Sequence, residues 1–142
     1  MKFTSVFVFL LTVSIYTINA QTTTGIKFFE GSWEEVLAEA KKQNKPVFVD
    51  AYTSWCGPCK WMAKNIFTLE SIGEFFNKNF VNYKFNMEKG EGPAFARKYA
   101  VRAYPTLLFL EPNEKVIHRT MGAKDEGRLL GTAQLALDMR NE

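Results

Sequence analysis

Histidine is nearly absent and cysteine is scarce: 142 residues hold one His and two Cys. A structural zinc site normally takes four Cys or His ligands, so three such side chains leave metal only a shared or adventitious place, and no metal is expected. The single histidine, His118, lies in a strand-like stretch and reads as a surface residue. An excess of one charge is missing too. The chain has 18 Lys and Arg against 15 Asp and Glu, and setting Lys2 aside leaves 17 against 15. That balance excludes attraction to nucleic acid or an anionic membrane by bulk charge. No repeat or low-complexity tract is present. Long apolar runs occur once, at Val6 to Ile18, which is shorter than the ~20 residues that span a bilayer.

That run follows Lys2 and precedes Asn19-Ala20, the pattern of a secretory signal peptide over residues 1–20, cleaved after Ala20. No cysteine near its end offers a lipid attachment point. The remaining 122 residues, 142 minus 20, make 21–142 a single domain with one apolar core. Export to a periplasm is expected, with extracellular release or an uncleaved N-terminal anchor as the alternatives.

What the chain does have is alternating strand and helix signals. Gly25 to Phe29 alternates weakly and predicts a peripheral first strand. Ser32-Trp33-Glu34-Glu35 has capping-box spacing, and Trp33, Val36, Leu37 and Ala40 recur at helical intervals up to about Lys42. After the break at Asn44-Lys45-Pro46, Val47 to Tyr52 is an apolar run suited to a strand covered on both faces. Helix formers occupy Cys59 to Ile66, and Thr68 is placed to cap a helix running through Phe76. Phe80 to Asn86 alternates as a strand, Glu88 to Gly92 is a loop, and Pro93 starts a helix carrying Phe95 and Tyr99 on one face. Thr106 to Leu110 and Lys115 to Met121 flank a turn and predict a hairpin, with Gly122 ending it. A last helix spans about Lys124 to Met139, with Leu129, Ala133, Ala136 and Leu137 inward. The order predicts an α/β domain, a mixed sheet with helices on both faces. Most of the 13 phenylalanines fall at strand and helix positions and read as core.

Both cysteines lie in Trp55-Cys56-Gly57-Pro58-Cys59-Lys60. A domain of this size needs no disulfide staple, and a ring this short would restrict the unfolded chain little. Their use is therefore chemical: a dithiol that closes and reopens, exchanging two electrons. Cys56 should lie at a helix amino end, where free N–H groups favour the thiolate and lower its pKa from ~8.5 toward ~7. Cys59, one turn in, should be buried and resolving. Asp50 reads either as a strand-end acid capping a turn or as a desolvated acid with a raised pKa. Lys84 reads either as a solvated strand residue or as a charge that tunes Asp50. Pro58 removes a donor and stiffens the turn after Gly57.

The sequence resembles the thioredoxin family from about Trp33 to Met139. The six-residue string around the cysteines matches the family's active site, and Tyr104-Pro105-Thr106 matches its cis-proline loop. The resemblance implies a thioredoxin-like fold and extends to Asp50, Lys84 and Gly122. The layout around Asn65 to Phe76 is also similar to the C-terminal reductase domain of the bacterial membrane protein DsbD. Three positions depart: Tyr52 stands for a Trp, Lys64 for a kinking Pro, and Tyr104 for a smaller aliphatic. The resemblance implies a reductase of protein disulfides with Cys56, Cys59 and Asp50 catalytic, Lys84, Pro58 and Gly57 supporting, and Trp55, Tyr104, Pro105 and Gly122 lining a substrate surface.

No cofactor beyond the Cys56–Cys59 pair is implied. Expected partners are disulfide-containing proteins and an upstream thiol reductant such as a DsbD-like membrane protein, with the protein itself a monomer and no nucleic acid bound. Within redox chemistry the alternatives are an isomerase and an oxidase, which usually place His where Pro58 stands. Outside it, the alternative is a chaperone-like binding module of the same fold.

Overall fold

The computed structural model describes residues 24–142; the signal peptide and cleavage point expected at 1–20 lie outside the described residues. The elements are α1 (Trp33–Gln43), β1 (Val47–Tyr52), α2 (Gly57–Asn65), α3 (Glu70–Asn79), β2 (Val81–Asn86), α4 (Gly92–Lys98), β3 (Thr106–Leu110), β4 (Val116–Met121) and α5 (Glu126–Arg140). They form one four-stranded sheet in the order β2-β1-β3-β4. The helical crossover from β1 to β2 makes that pair parallel, with Asp50 level with Lys84. The β3–β4 pair is antiparallel, as is β1 with β3, so the sheet is mixed.

β1 sits in the middle because its side chains are apolar on both faces. Val47, Val49 and Ala51 join Trp33, Val36, Phe85 and Phe95 under α1 and α4. Phe48 points the other way and joins Met62, Phe76, Phe109 and Leu129 under α2, α3 and α5. Its ring lies 4.7 Å from Phe76 and 5.3 Å from Phe109. Strand side chains alternate, so Asp50 falls on the Phe48 face, beneath α2.

Helix ends explain several boundaries. α1 starts with a full capping box: Glu35 N–H donates to Ser32 Oγ and Ser32 N–H donates to the Glu35 carboxylate. It stops at Asn44, which takes the left-handed conformation with φ 51°. α5 starts later than expected, capped by Asp125, whose carboxylate accepts from Arg128 N–H. Of its four expected inward residues, Leu129, Ala133 and Ala136 are buried and Leu137 is half-buried.

Three expectations are corrected. Thr68 does not cap α3: the N-cap is Leu69, with no side-chain bond, and the Thr68 hydroxyl donates to Lys64 O at 2.8 Å. α3 also runs on to Asn79, where the Phe80 N–H closes its last turn by donating to Phe76 O. The weak strand at Gly25 to Phe29 reduces to an isolated parallel bridge, Phe28 with Asn82. The arm is held by two backbone bonds, Ile26 N–H to Phe67 O and Phe29 N–H to Asn82 O, and by the Asn77 side chain, whose Oδ1 accepts from Lys27 N–H and whose amide donates to Gly25 O.

Candidate active site

β1 delivers the chain through Thr53-Ser54-Trp55 to Cys56, the N-cap of α2. Cys56 N–H donates to Thr53 O at 3.3 Å, which closes the turn. Gly57 and Pro58 are the first two helical residues, where a proline costs nothing because that N–H has no intrahelical partner. Cys59 N–H points back at the Cys56 sulfur, 3.1 Å away. The two cysteines form a disulfide, with Cα atoms 5.3 Å apart. Cys59 is buried as expected, and in this oxidised state Cys56 is covered equally, each 4% exposed. Lys64, in the place of a kinking proline, lies in the last turn of α2, where a cation suits the helix dipole.

Beneath the disulfide lies Asp50, only 1% exposed. Burial pushes its carboxyl from the ordinary 3.8 up to about 7, against a smaller downward pull from the Lys84 ammonium. Lys84 does not meet Asp50 in an ion pair. Its Nζ lies over the Tyr52 ring at 5.0 Å and the Phe28 ring at 5.5 Å, so its effect on Asp50 acts through space. A cavity of about 90 Å³ separates these groups, lined by Asp50, Tyr52, Thr53, Cys59, Ala63 and Lys84 among others. Asp50 Oδ1 and Thr53 Oγ1 are buried with no hydrogen-bond partner.

Around the mouth, Trp55 is 65% exposed, its ring edge-on to Tyr104 at 5.8 Å. Its indole N–H donates to Glu88 Oε1 at 2.9 Å. The Tyr104–Pro105 peptide bond is cis. Gly122, at φ 79°, donates its N–H to Pro105 O at 2.8 Å, which brings the end of β4 beside the proline. Met121, in register with Thr106, is 59% exposed there. The residues expected in the catalytic, supporting and substrate-binding sets thus lie in or beside the cysteine turn, the cavity under it or the proline loop next to it. Thr53 and Glu88 join them without having been singled out. A threonine at a strand end and an acid in a glycine-containing loop carry no motif of their own.

Among the described residues, no three His, Cys, Asp or Glu side chains gather where a metal ion could sit. His118 lies on β4, half-buried, with its ring 6.2 Å from Phe109.

A two-cysteine disulfide at a helix start, following a central strand that bears a buried acid, defines a thiol-disulfide oxidoreductase of thioredoxin-like fold. Comparison with known proteins agrees. The profile described as thioredoxin-like matches residues 29–112, and the chain belongs to that family. It is 34% identical over 104 residues to a thioredoxin-like protein of Synechocystis, covering 73% of this chain and 90% of that one. It is 33% identical over 86 residues to the spinach chloroplast M-type thioredoxin, covering 61% of this chain and only 43% of the spinach protein. Among solved structures, a protein described as a disulphide-isomerase of Bacteroides thetaiotaomicron superposes with a TM-score of 0.73 at 44% identity. That match covers 81% of this chain and 95% of the other. A Thermus thermophilus thioredoxin, at 22% identity and TM-score 0.68, shares the fold.

Proposed function

We propose that the protein reduces disulfides in exported proteins, with Cys56 as nucleophile, Cys59 as resolving thiol and Asp50 as the proton acceptor. The carrying observation is a disulfide between Cys56 at the α2 start and Cys59 one turn in, with the buried Asp50 carboxyl lining the same small cavity as Cys59. In the reduced protein the Cys56 thiolate attacks a substrate disulfide, forming a mixed disulfide and releasing one substrate thiolate. Asp50 takes the Cys59 proton, and the Cys59 sulfur then attacks Cys56 Sγ. The Cys56–Cys59 bond forms, the bond to substrate breaks, and the second substrate sulfur leaves with the electron pair. Two electrons pass from the dithiol to the substrate.

Trp55, Tyr104, Pro105 and Gly122 would form the docking surface, with an extended substrate segment pairing to the backbone at Pro105. Gly57 and Pro58 fix the spacing of the sulfurs. The oxidised product must be re-reduced, and in the periplasm the donor would be a DsbD-like membrane protein. No further cofactor enters this scheme, and a monomer suffices for it.

The test is Cys59→Ser, expressed with the natural leader and recovered under acid quench. Substrate proteins should accumulate as mixed disulfides on Cys56 and be lost in the Cys56→Ala, Cys59→Ser double variant. If none accumulate, the enzyme reading is wrong. A second reading is favoured by the solved relative described as a disulphide-isomerase. An isomerase would reactivate scrambled disulfides without net consumption of thiol, whereas a reductase consumes one dithiol per disulfide. A chaperone-like module would keep its binding activity in Cys56→Ala, and a reductase would lose activity.

A further inference from the structure

We propose that Thr53 is a positioning residue for proton transfer at Cys59, its hydroxyl holding a water chain that joins the Asp50 carboxyl to the Cys59 sulfur. The proposal rests on the reductase scheme above and adds a group to it. Thr53 is 1% exposed, like Asp50. Its Oγ1 and Asp50 Oδ1 are two of three buried side-chain oxygens without a partner among the described residues. Both residues line the same cavity of about 90 Å³, and Cys59 lines it too.

A buried hydroxyl without a partner costs roughly 1–3 kcal/mol, and native structures meet that cost with water where the space is polar and large enough. One water needs roughly 10–15 Å³ by the same kind of measure, so this cavity admits a short chain. Two of the other polar groups lining it are engaged elsewhere. Ser54 Oγ accepts from the Asn86 amide at 3.1 Å, and the Lys84 ammonium lies over two rings. The charged groups around the cavity are Asp50 from β1, Lys60 from α2 and Lys84 from β2. A hydroxyl both donates and accepts, so Thr53 can pass a proton in either direction. The Thr53 backbone is fixed by the bond from Cys56 N–H to its carbonyl.

In the resolving step the Cys59 S–H gives its proton to the adjacent water, and a proton moves through the chain to the Asp50 carboxylate. The electron pair left on Cys59 forms the bond to Cys56 Sγ, and the substrate thiolate departs. When a dithiol donor reduces the protein, Cys59 is the leaving thiolate and the proton returns along the same path.

The test is single-turnover reduction of insulin by the full reduced protein, acid-quenched and alkylated, at pH values on both sides of the Asp50 transition. Thr53→Val keeps the shape and removes the hydroxyl; Thr53→Ser keeps the hydroxyl. Thr53→Val should slow resolution by about tenfold, the equivalent of one hydrogen bond at the moving proton. The Cys56 mixed disulfide should build up, and the pH midpoint should shift. Thr53→Ser should resolve within about twofold of the natural protein. A natural rate and pH profile in Thr53→Val, beside an Asp50→Asn variant that has lost the pH dependence, overturns the role of Thr53 alone. An unaltered pH profile in Asp50→Asn overturns the relay itself and the reading on which this one rests. Should Thr53→Val fold poorly, rates of the natural protein and of Thr53→Ser in H₂O/D₂O mixtures decide. A chain moving several protons gives a bowed dependence on deuterium content, and a straight one overturns the proposal.

Discussion

Asp50 should make the protein less stable as pH rises, and Asp50→Asn should remove that dependence. The carboxyl has a pKa of about 7 when folded and an ordinary value of 3.8. Below 3.8 both folded and unfolded chains hold the proton, and burial of the neutral acid carries no ionic penalty. Between 3.8 and 7 the unfolded chain releases its proton while the folded one keeps it, so each pH unit favours unfolding by about 1.4 kcal/mol. Above 7 both are ionised and the loss is complete. Over the window of roughly three units this amounts to about 4 kcal/mol. The asparagine amide is neutral and nearly the same shape, so the variant should match the natural protein at the acid end. At about pH 8 it should be more stable by about 4 kcal/mol. Urea unfolding of the oxidised form at a series of pH values measures this, and the difference between the two proteins cancels every other titrating group. A difference that stays constant with pH, or one below about 1 kcal/mol at the alkaline end, would refute the desolvation argument for Asp50.

Pro58→His places a titratable cation and a new donor beside the Cys56 sulfur; it should stabilise the thiolate and raise the reduction potential by about 30 mV or more. An unchanged potential in a glutathione redox titration would contradict the role given to Pro58. Gly73→Ala should destabilise the protein by about 2 kcal/mol, since a Cβ there would collide with the Gly25 carbonyl. Hydrogen exchange should speed up at the Ile26 and Phe29 amides, which tie the arm to Phe67 O and Asn82 O; unaltered protection there would mean that the arm is not seated on α3. Ser32→Ala should cost about 1 kcal/mol by removing the acceptor for Glu35 N–H, read from the urea midpoint.

The sheet was legible because Val47 to Tyr52 and Thr106 to Leu110 are apolar on both faces, and a run of that kind fits a covered central strand better than anything else. The cysteine turn was legible because its residues are contiguous. What escaped were contacts between distant segments. The arm from Thr24 to Phe29 depends on Asn77 and Gly73, some 50 residues away, and its own weak alternation says nothing of them. Trp55 and Glu88 are 33 residues apart and meet only because β1 and β2 lie in register. Lys84 opposite Asp50 follows from the same register, but the stacking of its ammonium on Tyr52 and Phe28 rather than on the acid does not. Thr68 had the chemistry of a cap, yet its hydroxyl bonds back into α2 and the next helix begins one residue later.

The placement of Asp50 turns on strand parity. Val49 and Ala51 lie on the face packed with Trp33 and Phe85, so an acid shifted by one residue would enter an apolar core with no sulfur to serve. On the Phe48 face it lies under the start of α2, where the dithiol is. Elsewhere the fully buried Thr106 Oγ1 donates to Ala103 O, and the half-buried Arg140 guanidinium grips the Glu111 carboxylate. Among the described residues three buried side-chain oxygens lack a partner, and two of them, on Asp50 and Thr53, belong to residues lining a cavity that Cys59 also lines. The third, Asn82 Oδ1, belongs to a residue that bonds the N-terminal arm. On the proposed scheme, the burial that raises the Asp50 carboxyl to about 7 should cost about 4 kcal/mol of stability above neutral pH, and the same burial would let that carboxyl take and return the Cys59 proton.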